Sequence, residues 1–354
     1  MKNFINIFNK FKGIDAVVLM SASNTFYLAE YENTFAFIIL SKQGGFYLTD
    51  TRYIEEAKTH LAEGAECITV TNSTVFRKIN EILDKINAKK VGFENSSITF
   101  DSYSALSSAL VGKTLVGIEP QLLAIRAVKT IDELKLIKKA ASINDRSFAK
   151  LLKKVKAGVT ERELAYELEY NFRKYGADGT AFDTIVAFGE NTSRPHAHIS
   201  DKKLQLGMPV TIDFGCKYQG YCSDITRSFA FGEPNKQILD IYNAVLNSNL
   251  AGINAVKVGM STRAVDEVCR NYLKQFKLDE YFIHGTGHGV GIDIHEAPTL
   301  NPHSDEVLKK NMVITIEPGV YIEGIGGVRI EDLLIVTNDG ANVISKTDKK
   351  LMIL

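Results

Sequence analysis

Two hydrophobic periods alternate along the first third of the chain. Phe4, Ile5, Phe8 and Phe11 recur at helical spacing, whereas residues 16–20 and 35–40 are short continuous apolar runs with the length and composition of buried strands. Gly44-Gly45 turns the chain into a further strand at 46–49. Residues 53–61 and 75–86 are amphipathic at the helical period, and 90–94 and 114–118 again read as strands. The pattern predicts a small α/β domain over residues 1–122. Pro120 disfavours helix at Glu119, which places the joint there. Beyond it, Thr130-Ile131-Asp132-Glu133 reads as a capping box opening a helix through Leu134, Ile137 and Ala141, which Gly158 closes. Thr160 and Glu163 repeat the signal for the next helix.

The second domain, residues 123–354, carries an internal echo. Residues 155–162, VKAGVTER, return at 256–263 as VKVGMSTR, each after a long helix and before a shorter one. Val210-Thr211-Ile212-Asp213 is likewise matched by Ile314-Thr315-Ile316-Glu317, and each is followed by a glycine-containing turn and a second acid, Asp224 or Glu331. Two echoes in the same order predict an α+β domain built from two related helix-helix-hairpin halves. Folding the first hairpin at Tyr218-Gln219 sets Asp213 directly opposite Asp224, and folding the second at Gly324 sets Glu317 opposite Glu331. Carboxylates about 5 Å apart repel by roughly 3 kcal/mol at an effective dielectric of about 20. A hard divalent cation between them relieves that repulsion; the alternative is a solvated hairpin with two surface acids.

Composition narrows the field. Lys plus Arg equals Asp plus Glu at 42 each, so no net field draws in nucleic acid or an anionic membrane. The four cysteines lack CxxC spacing and read as reduced thiols of a cytoplasmic protein. Residues 1–12 lack the apolar core of a signal peptide, and no run approaches a membrane span. Of seven histidines, His196, His198, His284, His288 and His295 all fall in the second domain beside the paired acids. The stretch 284–291, HGTGHGVG, is too rich in glycine for a zinc-binding HExxH helix and predicts a strand or loop that a neighbour can approach closely.

Asp213, Asp224, His288, Glu317 and Glu331, in that order inside IDFG, SDITR, HGTGHGVG, TIEPG and VRIED, resemble the five metal ligands of the pita-bread metallopeptidases, the group of aminopeptidase P, prolidase, methionine aminopeptidase and creatinase. The first 120 residues resemble, more weakly, the N-terminal domain of the aminopeptidase P and prolidase branch through NTFYL at 24–28 and DTRY at 50–53. The fold this implies is α+β, a duplicated pita-bread domain behind a smaller creatinase-like α/β domain. The resemblance further implies two divalent ions per subunit, Mn²⁺ as the first expectation with Co²⁺ or Zn²⁺ as alternatives. Glu317 would move the proton of the attacking water. His196 would contact substrate near the cleaved bond, and His295 would stabilise the tetrahedral intermediate or shuttle a proton. His284 and Arg329 would support the ligands from behind.

The expected reaction is hydrolysis of the bond between an N-terminal residue and proline, in a homodimer whose subunits help close each other's sites. Within that branch, several prolidases carry arginine just after the His-Glu-x-Pro segment to read the free carboxylate of product proline. Thr299 stands at that position here, which inclines the sequence towards aminopeptidase P, with Xaa-Pro dipeptidase (prolidase) as the alternative and Arg194 as another source of the charge. A binding protein on the same fold that has lost its chemistry is the rival from another class; all five ligand positions keep ligand side chains, which speaks against it.

Overall fold

The apolar runs of the N-terminal third pair into one sheet in the computed structural model, which describes residues 4–61 and 65–354. The start of the stretch 1–12 thus lies outside the described residues. The chain divides into two units, Met1–Ile125 and Arg126–Leu354. In the first, β1 (Ala16–Leu19), β2 (Ala36–Ser41), β3 (Gly44–Thr49), β4 (Ala65–Thr69), β5 (Lys90–Phe93) and β6 (Thr114–Gly117) stand in the order β4-β3-β2-β1-β5-β6. The Gly44-Gly45 pair lies within β3 rather than in the turn before it. Helix α1 (Phe4–Phe8) precedes the first strand, and α2 (Ala22–Ala29), α3 (Ile54–His60), α4 (Val75–Lys85) and α5 (Phe100–Ala109) connect the strands. The helical stripe of α4, Val75, Ile79, Ile82 and Leu83, is buried with Val18, Ile39, Leu48 and Val91 of the sheet. Sequence periodicity misses α2, which buries Asn24 and Thr25 and so shows no clean apolar stripe.

Pro120 does not stop a helix. It sits in the first turn of α6 (Glu119–Ala127), where its missing N–H leaves no bond unmade. Both capping boxes form: Thr130 Oγ1 accepts from the Glu133 amide ahead of α7 (Ile131–Leu151), and Thr160 does the same for Glu163 ahead of α8 (Glu161–Lys174).

The second unit bears out the duplication at the level of single hydrogen bonds. Gly158 N donates to Leu204 O at 2.9 Å, and Gly259 N donates to Leu308 O at 2.9 Å. The return bonds also correspond, Leu204 N to Val159 O at 2.8 Å and Leu308 N to Met260 O at 2.9 Å. Gly158 and Gly259 take φ of 84° and 88°, a conformation that glycine adopts without strain. The first half consists of α7, α8, β7 (Gly179–Thr180), β8 (Ile185–Phe188), β9 (Met208–Phe214), β10 (Cys216–Tyr218), β11 (Tyr221–Cys222) and β12 (Ile225–Phe231). The second consists of α9 (Lys236–Ala255), α10 (Thr262–Lys274), β13 (Gly287–Gly289), β14 (Glu296–Leu300), β15 (Val313–Ile316), β16 (Gly319–Ile322), β17 (Gly326–Arg329), β18 (Asp332–Thr337) and β19 (Gly340–Val343). Each half centres a ladder on its acid-bearing strand, β8-β9-β12 in one and β13-β15-β18 in the other.

The two hairpins differ in how well sequence foretells their register. In the second, β15 pairs Ile316 with Asp332 and β16 pairs Gly319 with Arg329, so Glu317 and Glu331 stand across from each other as a turn at Gly324 predicts. In the first, Asp213 pairs with Thr226, not with Asp224. The turn is centred one residue later than expected because Gln219 and Gly220 both take positive φ, 46° and 77°, the requirement of a tight type I′ turn between Tyr218 and Tyr221. The resulting offset is two residues, an even number, so the alternation of faces is unchanged.

Candidate active site and metal centre

Five separate pieces of the second unit deliver the acids and the imidazole. Asp213 is the second-last residue of β9, Asp224 lies between β11 and β12, His288 sits in β13, Glu317 follows β15, and Glu331 lies between β17 and β18. All five line one cavity of about 650 Å³, together with His196, His198, His284, His295 and Arg329. Ligand atoms of Asp224, His288 and Glu331 fall within 4.8 Å of one another. His288 Nε2 is 3.4 Å from Asp224 Oδ2 and 3.5 Å from Glu317 Oε1. Its Nδ1 donates to the Gly289 carbonyl at 3.0 Å, which leaves the Nε2 lone pair facing the carboxylates.

This donor set fits a divalent metal centre. Asp213 Oδ1 is buried and has no hydrogen-bond partner among the described residues, a costly condition for a carboxylate oxygen that a cation removes. Burial, then Asp213 and Glu317 nearby, push the Asp224 carboxyl well above the usual carboxylate range. Burial, then Asp224 and Glu317, do the same to Glu331, and burial raises Glu317. Such concentrated negative charge is the electrostatic condition that a multivalent cation answers.

Arg329 organises the rear of the site. Its guanidinium donates to Asp213 Oδ2 at 2.8 Å, to Thr226 Oγ1 at 3.0 Å and to the Tyr321 hydroxyl at 2.8 Å. The Thr226 hydroxyl in turn donates to Glu331 Oε2 at 2.8 Å, so one arginine fixes two acids. Tyr321 in turn donates to His284 Nε2 at 2.9 Å, while His284 Nδ1 donates to Gly285 O at 2.8 Å. Burial and then Arg329 lower the His284 pKa to about 3, so its ring is neutral. The rings of His288 and His295 lie 4.3 Å apart, edge to face. Burial and the neighbouring His288 lower the His295 pKa.

Several contributors carry no sequence signal. Glu161, fully buried at the start of α8, accepts from Phe188 N at 2.8 Å, Asn191 Nδ2 at 2.8 Å and Ser200 N at 3.0 Å. It thereby ties down the ends of the loop bearing His196 and His198, while Arg329 donates to the Pro195 carbonyl inside that loop at 3.3 Å. Tyr321 and Thr226 are also absent from the sequence reading, since their partners are distant in the chain. A glutamate opening a helix reads as a cap rather than as a loop anchor, and nothing in its spacing distinguishes the two.

Residues 135–338 match the family described as Metallopeptidase family M24, and residues 6–128 match the Creatinase/Prolidase N-terminal domain. A curated Xaa-Pro dipeptidase of Pyrococcus furiosus is 35% identical over 331 residues, spanning 92% of this chain and 94% of its own. The structure of an Xaa-Pro dipeptidase from Bacillus anthracis superposes with a TM-score of 0.95 at 39% identity, covering 99% of this chain and 100% of its own. That of an X-Pro aminopeptidase from Thermotoga maritima MSB8 gives 0.90 at 31%, covering 97% and 98%. No helix among the described residues is long and apolar enough to cross a membrane. Family, fold and donor set agree: the chain belongs to metallopeptidase family M24, as a pita-bread hydrolase of the Xaa-Pro peptidase group that depends on divalent metal ions.

Proposed function

We propose that this protein is an Xaa-Pro dipeptidase working with two divalent ions per subunit. The observation that carries the dipeptidase reading over aminopeptidase P is the near full-length similarity to the Bacillus anthracis dipeptidase, at 39% identity against 31% for the Thermotoga maritima aminopeptidase. Thr299, the residue that favoured aminopeptidase P, lines the cavity and brings no cation to it. Arg194 is not among the lining residues either, and Arg329, the one Lys or Arg that is, is committed to Asp213 and Tyr321. In this reading the imidazoles of His196 and His198, which line the cavity, donate to the carboxylate of a dipeptide.

The ligands in this reading are Asp213, Asp224, His288, Glu317 and Glu331, and the oxygen-rich set with a single imidazole suits Mn²⁺, with Co²⁺ or Zn²⁺ as alternatives. When bound, the ions polarise the scissile carbonyl and acidify water. Glu317 takes the proton from the attacking water at a carboxylate oxygen and returns it to the leaving nitrogen. His295 donates to the developing oxyanion, and His196 contacts the substrate beside the cleaved bond. Phe182, Ile185, Ile199 and Ile294 give the wall that a proline ring requires, since a tertiary nitrogen offers no hydrogen to recognise. Residues 123–354 form the catalytic domain and 1–122 the creatinase-like domain; in support, all five ligands belong to the unit Arg126–Leu354. The homodimer is part of this reading on family resemblance, and a fully active monomer in sedimentation equilibrium would remove it.

The test is to compare an Xaa-Pro dipeptide with the Xaa-Pro tripeptide that extends it. Hydrolysis confined to the dipeptide is expected; comparable kcat/KM on the tripeptide would turn the assignment to aminopeptidase P. Metal analysis after reconstitution should give about two ions per chain.

A further inference from the structure

His295 lines the cavity, and its own side-chain contacts do not fix its position. Its ring meets that of His288, but the imidazole makes no hydrogen bond with another described residue. What fixes it must act through the backbone on either side.

Both flanks are gripped by two cations far away in sequence. Arg126, in the last turn of α6, donates through Nη2 to Asp293 Oδ2 at 2.6 Å and to Glu296 Oε2 at 2.7 Å. Lys129 Nζ donates to the other Glu296 oxygen at 2.7 Å. One guanidinium therefore spans His295, holding the residue two before it and the residue one after it. Arg126, Lys129 and Glu296 are 5%, 2% and 9% exposed, so water does not compete for these bonds. The cations are themselves anchored at the foot of the Glu317 strand: Lys129 N donates to Asn311 O at 3.1 Å, and Val128 bridges Met312 just before β15.

The other side of the loop is fixed as well. Cys222 N, two residues before Asp224, donates to Gly291 O at 2.7 Å. A Cβ on Gly291 would lie 2.3 Å from Glu296 Oε1, so glycine there is what admits the carboxylate. A buried ion cluster is weak evidence for stability, because apolar replacements of similar volume are often as stable. Its distinctive property is direction, since each bond sets the orientation of the loop segment that bears it.

We infer that Arg126 and Lys129 are positioning residues: by holding Asp293 and Glu296 they set His295 over His288 at the reacting centre. The inference rests on the peptidase reading for what His295 does, and on geometry alone for how it is held. Its consequence is that loss of the grip acts through His295 and through nothing else in the site.

A double-mutant cycle tests this on the metal-loaded enzyme with an Xaa-Pro dipeptide. Lys129→Met and Asp293→Asn are each made alone and in the His295→Ala background. The Asp293 side chain is 43% exposed, so its variant is expected to fold even where the buried lysine change does not. Each single variant should keep its metal content and lose about ten- to a hundredfold in kcat, the scale of a small misplacement at a reacting centre. In the His295→Ala background the further loss should vanish; an equal loss in both backgrounds overturns the inference. The second readout needs no turnover. In ¹H–¹⁵N spectra of imidazole-labelled protein, the His295 signals, identified by their disappearance in His295→Ala, should shift in Asp293→Asn while those of His284 stay. Unmoved His295 signals overturn the inference. A wild-type enzyme inert towards the dipeptide would sink the dipeptidase reading alone, and the spectra would still decide this one.

Discussion

His284 and His288 each donate from Nδ1 to the carbonyl of the next residue, yet their Nε2 atoms meet different neighbours, and that difference separates their roles. Nε2 of His288 faces two carboxylates, whereas that of His284 accepts from Tyr321 in a buried pocket beside Arg329, where a second positive charge is unwelcome. A pH dependence follows with a definite sign. Folded His284 stays neutral down to about 3, whereas the unfolded chain takes up the proton below about 6.5. Stability should therefore fall as pH drops from about 6.5 towards 3, with His284 contributing a slope of up to about 1.4 kcal/mol per pH unit. Urea unfolding of metal-free protein at several pH values, compared with His284→Asn, checks this: the variant should lose that part of the slope, and identical slopes would refute the assignment. Glu317→Gln keeps an oxygen donor but not the base, and should lower kcat by at least about a hundredfold while dipeptide binding persists. Full turnover in that variant would remove Glu317 from the proton path.

The strand bearing His288 works as an element because its glycines let other chains close in. A Cβ on Gly287 would lie 2.1 Å from the Thr315 carbonyl oxygen of the neighbouring strand, a contact that backbone cannot relieve by rotating a side chain. Gly287→Ala should cost about 1–3 kcal/mol by overpacking and weaken metal binding, because it drives β13, which carries His288, away from the root of Glu317. Calorimetric metal titration beside thermal unfolding measures both; unchanged metal affinity would show that the strand spacing does not set the ligand geometry. Much at this scale was legible in sequence: the capping boxes at Thr130 and Thr160, the strand runs around 16–20, 90–94 and 114–118, and the register about Gly324, because each is a local pattern with one physical reading. The first hairpin was misread because Gln219, a non-glycine residue, takes the left-handed conformation, which side-chain identity does not announce. Pro120 misled because the same residue that breaks a helix interior is at home in a first turn. The grip of Arg126 on Asp293 and Glu296 joins residues 167 and 170 positions apart and leaves no periodic trace.

At the scale of the whole molecule, all five residues proposed as metal ligands belong to one of the two units, and each unit has buried clusters of its own. The proposed ligands come from five separate strands and links, so a cation held by all of them would cross-link both halves of the duplication at once. Two unit charges at 4.8 Å, the span within which the ligand atoms of Asp224, His288 and Glu331 gather, repel by roughly 3 kcal/mol at an effective dielectric of about 20. Removing the metal leaves that repulsion to be relieved by proton uptake or by separation of the strands. Metal at a hundredfold excess over its Kd adds about 2.7 kcal/mol to folding, provided that it binds the native state alone. Hydrogen exchange with and without chelator should therefore show protection falling in β9, β12, β13, β15 and β18 on metal removal, with β1 to β6 of the first unit unchanged. The pattern is diagnostic because a general destabilisation would raise exchange in both units together. Equal loss in the six-stranded sheet would mean that the metal stabilises the chain as one body, and no loss anywhere would mean that the acids are held by their hydrogen bonds without need of a cation.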